Sequence, residues 1–197
     1  AKAAPGYDRA KGIIKLINFA HGDIYMVGAY IGFFAITQAH LSVVPALLIS
    51  LVVTGFLGML VERLAYKPLR HAPRISVLIT AIGVSFFLEY TTMYFVSPTP
   101  RTFPAMFGDV AVTVGGIVIN GQQMLILGIT AVLMVILTYI VQKTKTGKAM
   151  RAASFDTETA ELMGINSDRI ISITFGIGSA LAAVAGVLVG IYYNSID

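Results

Sequence analysis

Apolar runs long enough to cross a bilayer recur five times in this chain, and they decide what it can fold into. They cover Ile13–Ala39, Val43–Leu60, Ile75–Val96, Met124–Val141 and Ile170–Tyr193. As a helix, Val43–Leu60 is about 27 Å long, close to the thickness of bilayer hydrocarbon. A backbone in lipid has no water to bond, so an isolated spanning segment must satisfy itself as a helix. The pattern predicts an all-α, polytopic transmembrane helical bundle of about five spans. Ile13–Ala39 is the irregular one, because its first half is polar and broken.

The charges orient these spans. Of the 14 Lys and Arg residues, all but Arg101 fall in alternate segments: Lys2 to Lys15, Arg63 to Arg74, and Lys143 to Arg169. Cytoplasmic connections carry such an excess, so these segments are expected inside. The net charge of +4 is then explained by topology, and nucleic acid is not needed as a partner. Tyr94, Phe95, Tyr192 and Tyr193 fall at the outer ends, where interfacial aromatics belong.

Several chemistries are excluded. With no cysteine there is no disulfide, thiolate metal site or Cys nucleophile. Gly147-Lys148 is followed by Ala149 and lacks the upstream glycine of a phosphate-binding loop, so the chain carries no such ATP site. No HExxH, GxSxG or paired catalytic carboxylates occur. His21, His40 and His71 stand singly, so no metal or cofactor is expected. With these chemistries absent, the function is to be sought in what crosses or docks on the bilayer.

Four segments invite a functional reading. In Ile17–Asp23 (INFAHGD), the groups Asn18, His21, Gly22 and Asp23 interrupt a segment entering the membrane. A charge at the bilayer centre costs about 2.5–3.5 kcal/mol on insertion scales, so such groups face protein or water. Two readings stand: a structural break with capped ends, Asp23 favouring the start of an Ile24–Ala39 helix, or a pathway-lining element. The inner loop Lys143–Arg169 is too long for a turn. Ser154 or Asp156 can cap a short helix over Thr157–Met163, and Gly164 can end it. Ala160, Leu162 and Met163 would be its apolar knobs. Such a helix either rests on lipid headgroups or docks in a groove on a cytoplasmic partner.

In the fifth span, Gly178, Ala182, Gly186 and Gly190 recur every four residues, a small-residue stripe that lets another helix approach closely. Glu89, about seven residues from the outer end of the third span, is expected to snorkel or bond a neighbouring helix and not to serve a proton relay, since no second intramembrane acid lies at a comparable depth. The outer loop Ser97–Gln123 alternates as VAVTV-GG-IVIN and predicts a hairpin about Gly115-Gly116, capping the helices or docking an outer partner.

The chain from about Gly12 onward resembles the permease subunits of bacterial branched-chain amino-acid ABC transporters, of the LivH type. The resemblance rests on INFAHGDIYMVGAY (Ile17–Tyr30), ERLAYKPLR (Glu62–Arg70), ITAIGVSFFLE (Ile79–Glu89), and the inner loop leading into ITFGIGSALAAVAGVLVG. It implies residues 12–197 as a partial permease transmembrane domain, behind an atypical tail at residues 1–11, with the family's helices cut short at both ends. It further implies a multi-pass protein of the bacterial inner membrane that moves leucine, isoleucine or valine inward by alternating access. The implied partners are cytoplasmic ATP-binding subunits, which hydrolyse ATP, a second permease subunit, and a periplasmic amino-acid-binding protein. The family's ATPase-coupling pattern, Glu-x-Ala-x-x-x-Gly, falls on Glu158, Ala160 and Gly164, followed by Ile165 and Asn166. A urea or short-amide permease of the same family, and an ion-coupled secondary transporter, are the alternatives.

The charge pattern gives a direct test. Cysteines placed singly at His71 and Thr146 should be shielded from an impermeant maleimide in intact cells, and one at Thr113 should be labelled. Labelling at position 71 but not 113 would invert the topology.

Overall fold

The computed structural model describes residues 20–70, 72–96, 99–103, 111–114 and 117–196. Five long helices dominate: α1 (Ala20–Thr37), α2 (Val43–Val61), α3 (Arg74–Val96), α4 (Gly121–Lys143) and α7 (Ser167–Tyr193). Two short helices, α5 (Lys145–Phe155) and α6 (Thr157–Leu162), lie between α4 and α7. Four short strands complete the described chain: β1 (Arg101–Thr102), β2 (Ala111–Val114), β3 (Ile117–Asn120) and β4 (Ser195–Ile196). Asn18, His71, Gly115 and Gly116 lie outside the described residues.

Two expectations change. Among the described residues four helical stretches, not five, are long and apolar enough to cross a membrane: Val43–Leu69, Ile75–Val96, Gly121–Lys143 and Ser167–Tyr193. The remaining helix, α1, carries His21 and Asp23, which dilute its apolar character, and half of its 18 residues are buried by the other helices. The second span also runs past Leu60. A π-helical turn over Glu62–Tyr66 and a 3-10 turn over Lys67–Leu69 extend it toward Arg70.

The centre of the fold is the packing of α1 and α2 against α7. Side chains as apolar as lipid gain little by burial in a bilayer, so helices associate through close contact and interhelical hydrogen bonds. Glycines provide the contact. A Cβ on Gly28 would lie 2.5 Å from the Ala183 Cα, and one on Gly32 would overlap Val187. These contacts advance together along both helices, so α1 and α7 run parallel. Gly58 against Ser179 and Gly176 against Met59 advance in opposite senses, so α2 is antiparallel to α7. The Ser50 hydroxyl donates to the Gly28 carbonyl at 2.6 Å, tying α2 to α1.

The small-residue stripe only partly coincides with this interface. Ala182 is buried. Gly186 faces α1, where a Cβ would stand 2.7 Å from the Tyr25 carbonyl, and Gly190 faces Phe103, 2.8 Å from its ring. Gly178 does not belong: nothing lies within 4 Å of a Cβ built there. The contact face instead includes Gly176, Ser179, Ala183 and Val187.

At the outer end, β1 pairs antiparallel with β4, joining Arg101 to Ile196 and Thr102 to Ser195. This strap seats Phe103, 1% exposed, edge-on to Phe33 at 5.3 Å. Arg101 donates to the Val96 carbonyl at 2.6 Å and lies over the Phe34 ring. β2 and β3 pair antiparallel, with Val114 opposite Ile117, as the alternation predicts. α4 buries no residue at all. Gln122 near its start bonds the Ile191 carbonyl at 3.2 Å and the Asn194 side chain at 3.1 Å.

Leucine at position 186 should therefore disrupt the α1–α7 contact, since overpacking costs about 1–3 kcal/mol. Gly186→Leu should lower the detergent melting temperature and the membrane yield, while Gly178→Leu should change neither. Equal behaviour of the two variants would refute this packing.

Candidate functional site

Three groups of residues are candidates for a functional role: the α5–α6 loop, an ion network beside it, and polar groups at the start of α1.

The loop is built from caps. Asp156 starts α6, its carboxylate accepting from the Thr159 N–H at 3.2 Å and from the Thr159 hydroxyl at 2.5 Å. Of the two expected caps this is the one that acts on α6, because the Ser154 hydroxyl donates back to the Arg151 carbonyl. The helix ends one residue earlier than expected, at Leu162. Gly164 follows with φ of 82°, a conformation that favours glycine. Its N–H bonds the Glu161 carbonyl at 2.9 Å and the Ile165 N–H bonds the Ala160 carbonyl at 3.0 Å, the Schellman pairing of a helix end. Asn166 then caps α7, accepting from the Arg169 N–H at 3.0 Å.

One expected knob is misplaced. Ala160 is buried at 4% exposure and packs inward, so it cannot present itself to a partner. Leu162 is 87% exposed, Met163 79%, and Phe155, which the sequence reading passed over, 95%. Glu158 is also exposed. A reader of the sequence could have found Phe155 as an aromatic stranded at the end of a basic helix.

The Thr159 hydroxyl, with the Thr159 and Glu158 backbone N–H groups, holds the Asp156 carboxyl below its ordinary value. A group depressed in this way supports its helix above the unfolded value, and that support is lost as pH falls through the folded one. An NMR titration should find Asp156 titrating below about 3.9 and returning toward it in Thr159→Ala. An unchanged midpoint in that variant would remove the hydroxyl as the cause.

Beside the loop, Glu62 is fully buried in the π-helical turn. One of its carboxylate oxygens accepts from Arg70 and the other from the Ser172 hydroxyl of α7. Arg70 also donates to Asp168, and Lys67 stands 3.0 Å from the same carboxylate. Sequence alone placed Glu62 and Arg70 in a basic loop and had no means of pairing them with residues about a hundred positions later.

In α1, Asp23 accepts a hydrogen bond from Ser85 of α3. Ser85 is central in the 23-residue α3, so Asp23 lies about 16 Å from either end of that helix. Glu89 follows one turn later on the same face of α3. The expectation that no second acid shares its depth is therefore wrong, since Asp23 does within about one turn. His21 and Gly22 are exposed, and nothing lies within 4 Å of a Cβ on Gly22. The described helix includes Ala20 to Asp23, so no break at Gly22 is present and the Ile24 start is corrected to Ala20.

A mid-membrane acid, a three-helix interface built of glycines and a capped loop with outward apolar groups fit a permease, and comparison with known proteins decides the family. The family model for the branched-chain amino acid transport system permease component matches residues 3–197. The chain belongs to this family. It is 41% identical over 211 aligned positions to the high-affinity branched-chain amino acid transport system permease protein BraD of Pseudomonas aeruginosa, covering 100% of this chain and 68% of that protein. It is 37% identical over 210 positions to the corresponding LivH protein of Escherichia coli, with the same coverage. Salmonella typhimurium LivH is 36% identical over 209 positions. No solved structure matches. This permease is accordingly a multi-pass membrane transport subunit.

Proposed function

We propose that this permease forms the membrane path of an ATP-driven importer for leucine, isoleucine and valine in the bacterial inner membrane, working by alternating access. The observation that carries the reading is the match along the whole chain to permeases named for branched-chain amino acid transport. Hydrolysis of ATP belongs to a separate cytoplasmic subunit, a second permease subunit completes the wall, and a periplasmic binding protein delivers the amino acid.

In this reading the loop through Glu158, Ala160, Gly164, Ile165 and Asn166 is the ATPase-coupling element. Phe155, Leu162 and Met163 enter a groove on the ATPase, because fully solvated apolar side chains gain most from burial there. Ala160 supports the loop from inside, Gly164 reverses the chain, and Asn166 restarts it as α7. Asn18, His21, Gly22 and Asp23 line the path. Asp23 and Glu89 place carboxyl groups near the middle of α3, where a passing amino acid needs a partner for its ammonium group.

The test uses the complete transporter in liposomes. Leu162→Asp with Met163→Asp should abolish co-purification of the ATPase subunits and leucine uptake, while permease yield stays normal. Uptake of labelled leucine should be displaced by valine and isoleucine and not by urea. Unchanged co-purification would defeat the coupling role, and displacement by urea alone would replace the substrate.

A further inference from the structure

We propose that Arg70 and Asp168 form the joint through which displacement of the α5–α6 loop reaches α2, acting as positioning residues for coupling. This rests on the coupling reading above and extends it inside the membrane domain.

The two sides of the joint are held very differently. On the α2 side, Arg70 is fixed. Its side chain is only 13% exposed and pairs with the fully buried Glu62, a carboxylate that could not remain there without a cation. Ser172 satisfies the other Glu62 oxygen. On the loop side, Asp168 is 49% exposed and sits in the first turn of α7. Only Gly164–Asn166 and Ser167 separate it from α6 and its cap residue Met163. That connection carries no slack, because the Ile165 and Gly164 N–H groups are bonded back into α6 and Asn166 is bonded forward into α7. A push on α6 therefore moves Asp168.

The guanidinium turns that movement into a directed one. It spans Glu62 and Asp168 with different nitrogens, and its planar fork fixes the angle between them. The joint has a surface half and a buried half. Half-exposed ion pairs contribute little to stability, so the Asp168 contact is not needed to hold the fold. Its removal leaves Glu62–Arg70 intact. Lys67, 3.0 Å from Asp168, reinforces the same bridge from the 3-10 turn.

Asp168→Ala is the decisive variant, since Arg70→Gln would strand Glu62 and risk unfolding. In the reconstituted transporter, Asp168→Ala should assemble, melt normally and keep basal ATP hydrolysis. ATP hydrolysis stimulated by the loaded binding protein, and leucine uptake, should fall about tenfold, the scale of a typical coupling between sites. Asp168→Glu should restore both. Normal stimulation and uptake in Asp168→Ala would overturn the proposal. Loss of assembly would overturn it equally, by making the contact a structural latch. The Leu162→Asp, Met163→Asp protein separates the two levels: if it couples normally, the docking reading itself fails, whereas a defect there with a normal Asp168→Ala fails the joint alone.

Discussion

The close approach of α1 and α2 to α7 is the constraint on which the rest of the fold depends. Within a bilayer the contact between helices must come from packing and hydrogen bonds, because lipid solvates apolar side chains as well as protein does. Gly28, Gly58 and Gly186 let backbones and small side chains meet directly, and Gly32 and Gly176 make room for Val187 and Met59. Ser50 adds a bond across the α1–α2 contact. α1 can then pack into the bundle with Asp23 of its first turn bonded by Ser85 of α3, while His21 stays exposed. The outer strap depends on the same contact, since Phe103 rests on Gly190 and Phe33.

Four of the spans, their order and the hairpin were legible because each depends on local pattern. The interface was half legible, and Gly178 explains why. Residues spaced by four drift about 40° per step around a helix of 3.6 residues per turn. From Gly178 to Gly190 the stripe therefore turns about a third of the way round α7, and only its later members face α1 and Phe103. The true contact face steps by threes and fours: Gly176, Ser179, Ala183, Gly186 or Val187, Gly190. The motif was visible, but the direction of the helix was not.

Ala160 and Glu62 show a different limit. Ala160 falls on the pattern that the resemblance assigns to coupling, and such a pattern does not say whether a residue faces in or out. The structure turns it inward and leaves Phe155, Leu162 and Met163 outside. Glu62 looked like one more charge at a membrane face. Its burial depends on Arg70 and Ser172 together, and Ser172 comes from a helix that begins a hundred residues later. Removing one partner of such a pair costs about 3–5 kcal/mol, so the sequence hides there one of its most consequential acids.

The length of α7 connects these observations to transport. Its 27 residues run from the cap at Asn166, beside the loop, to the outer strap at Asn194. α2 with its two irregular turns runs the same distance in the opposite sense, and its contacts with α7 stay in register from Gly55 opposite Ala180 to Lys67 opposite Asp168. Glycines clamp the two elements where Gly55 and Gly58 meet Gly176 to Ala180, and toward the loop the side-chain contacts of Arg70 and Lys67 with Asp168 join them. In the proposed coupling, a force applied at the loop end is carried toward the level of Asp23 and Ser85 by the helices packed against α1. The π-helical turn at Glu62 lies where α2 meets the ion network, and a widened turn is where a helix can change pitch without breaking. Close packing between the long helices and one irregular turn at their edge are the features on which the proposed coupling rests.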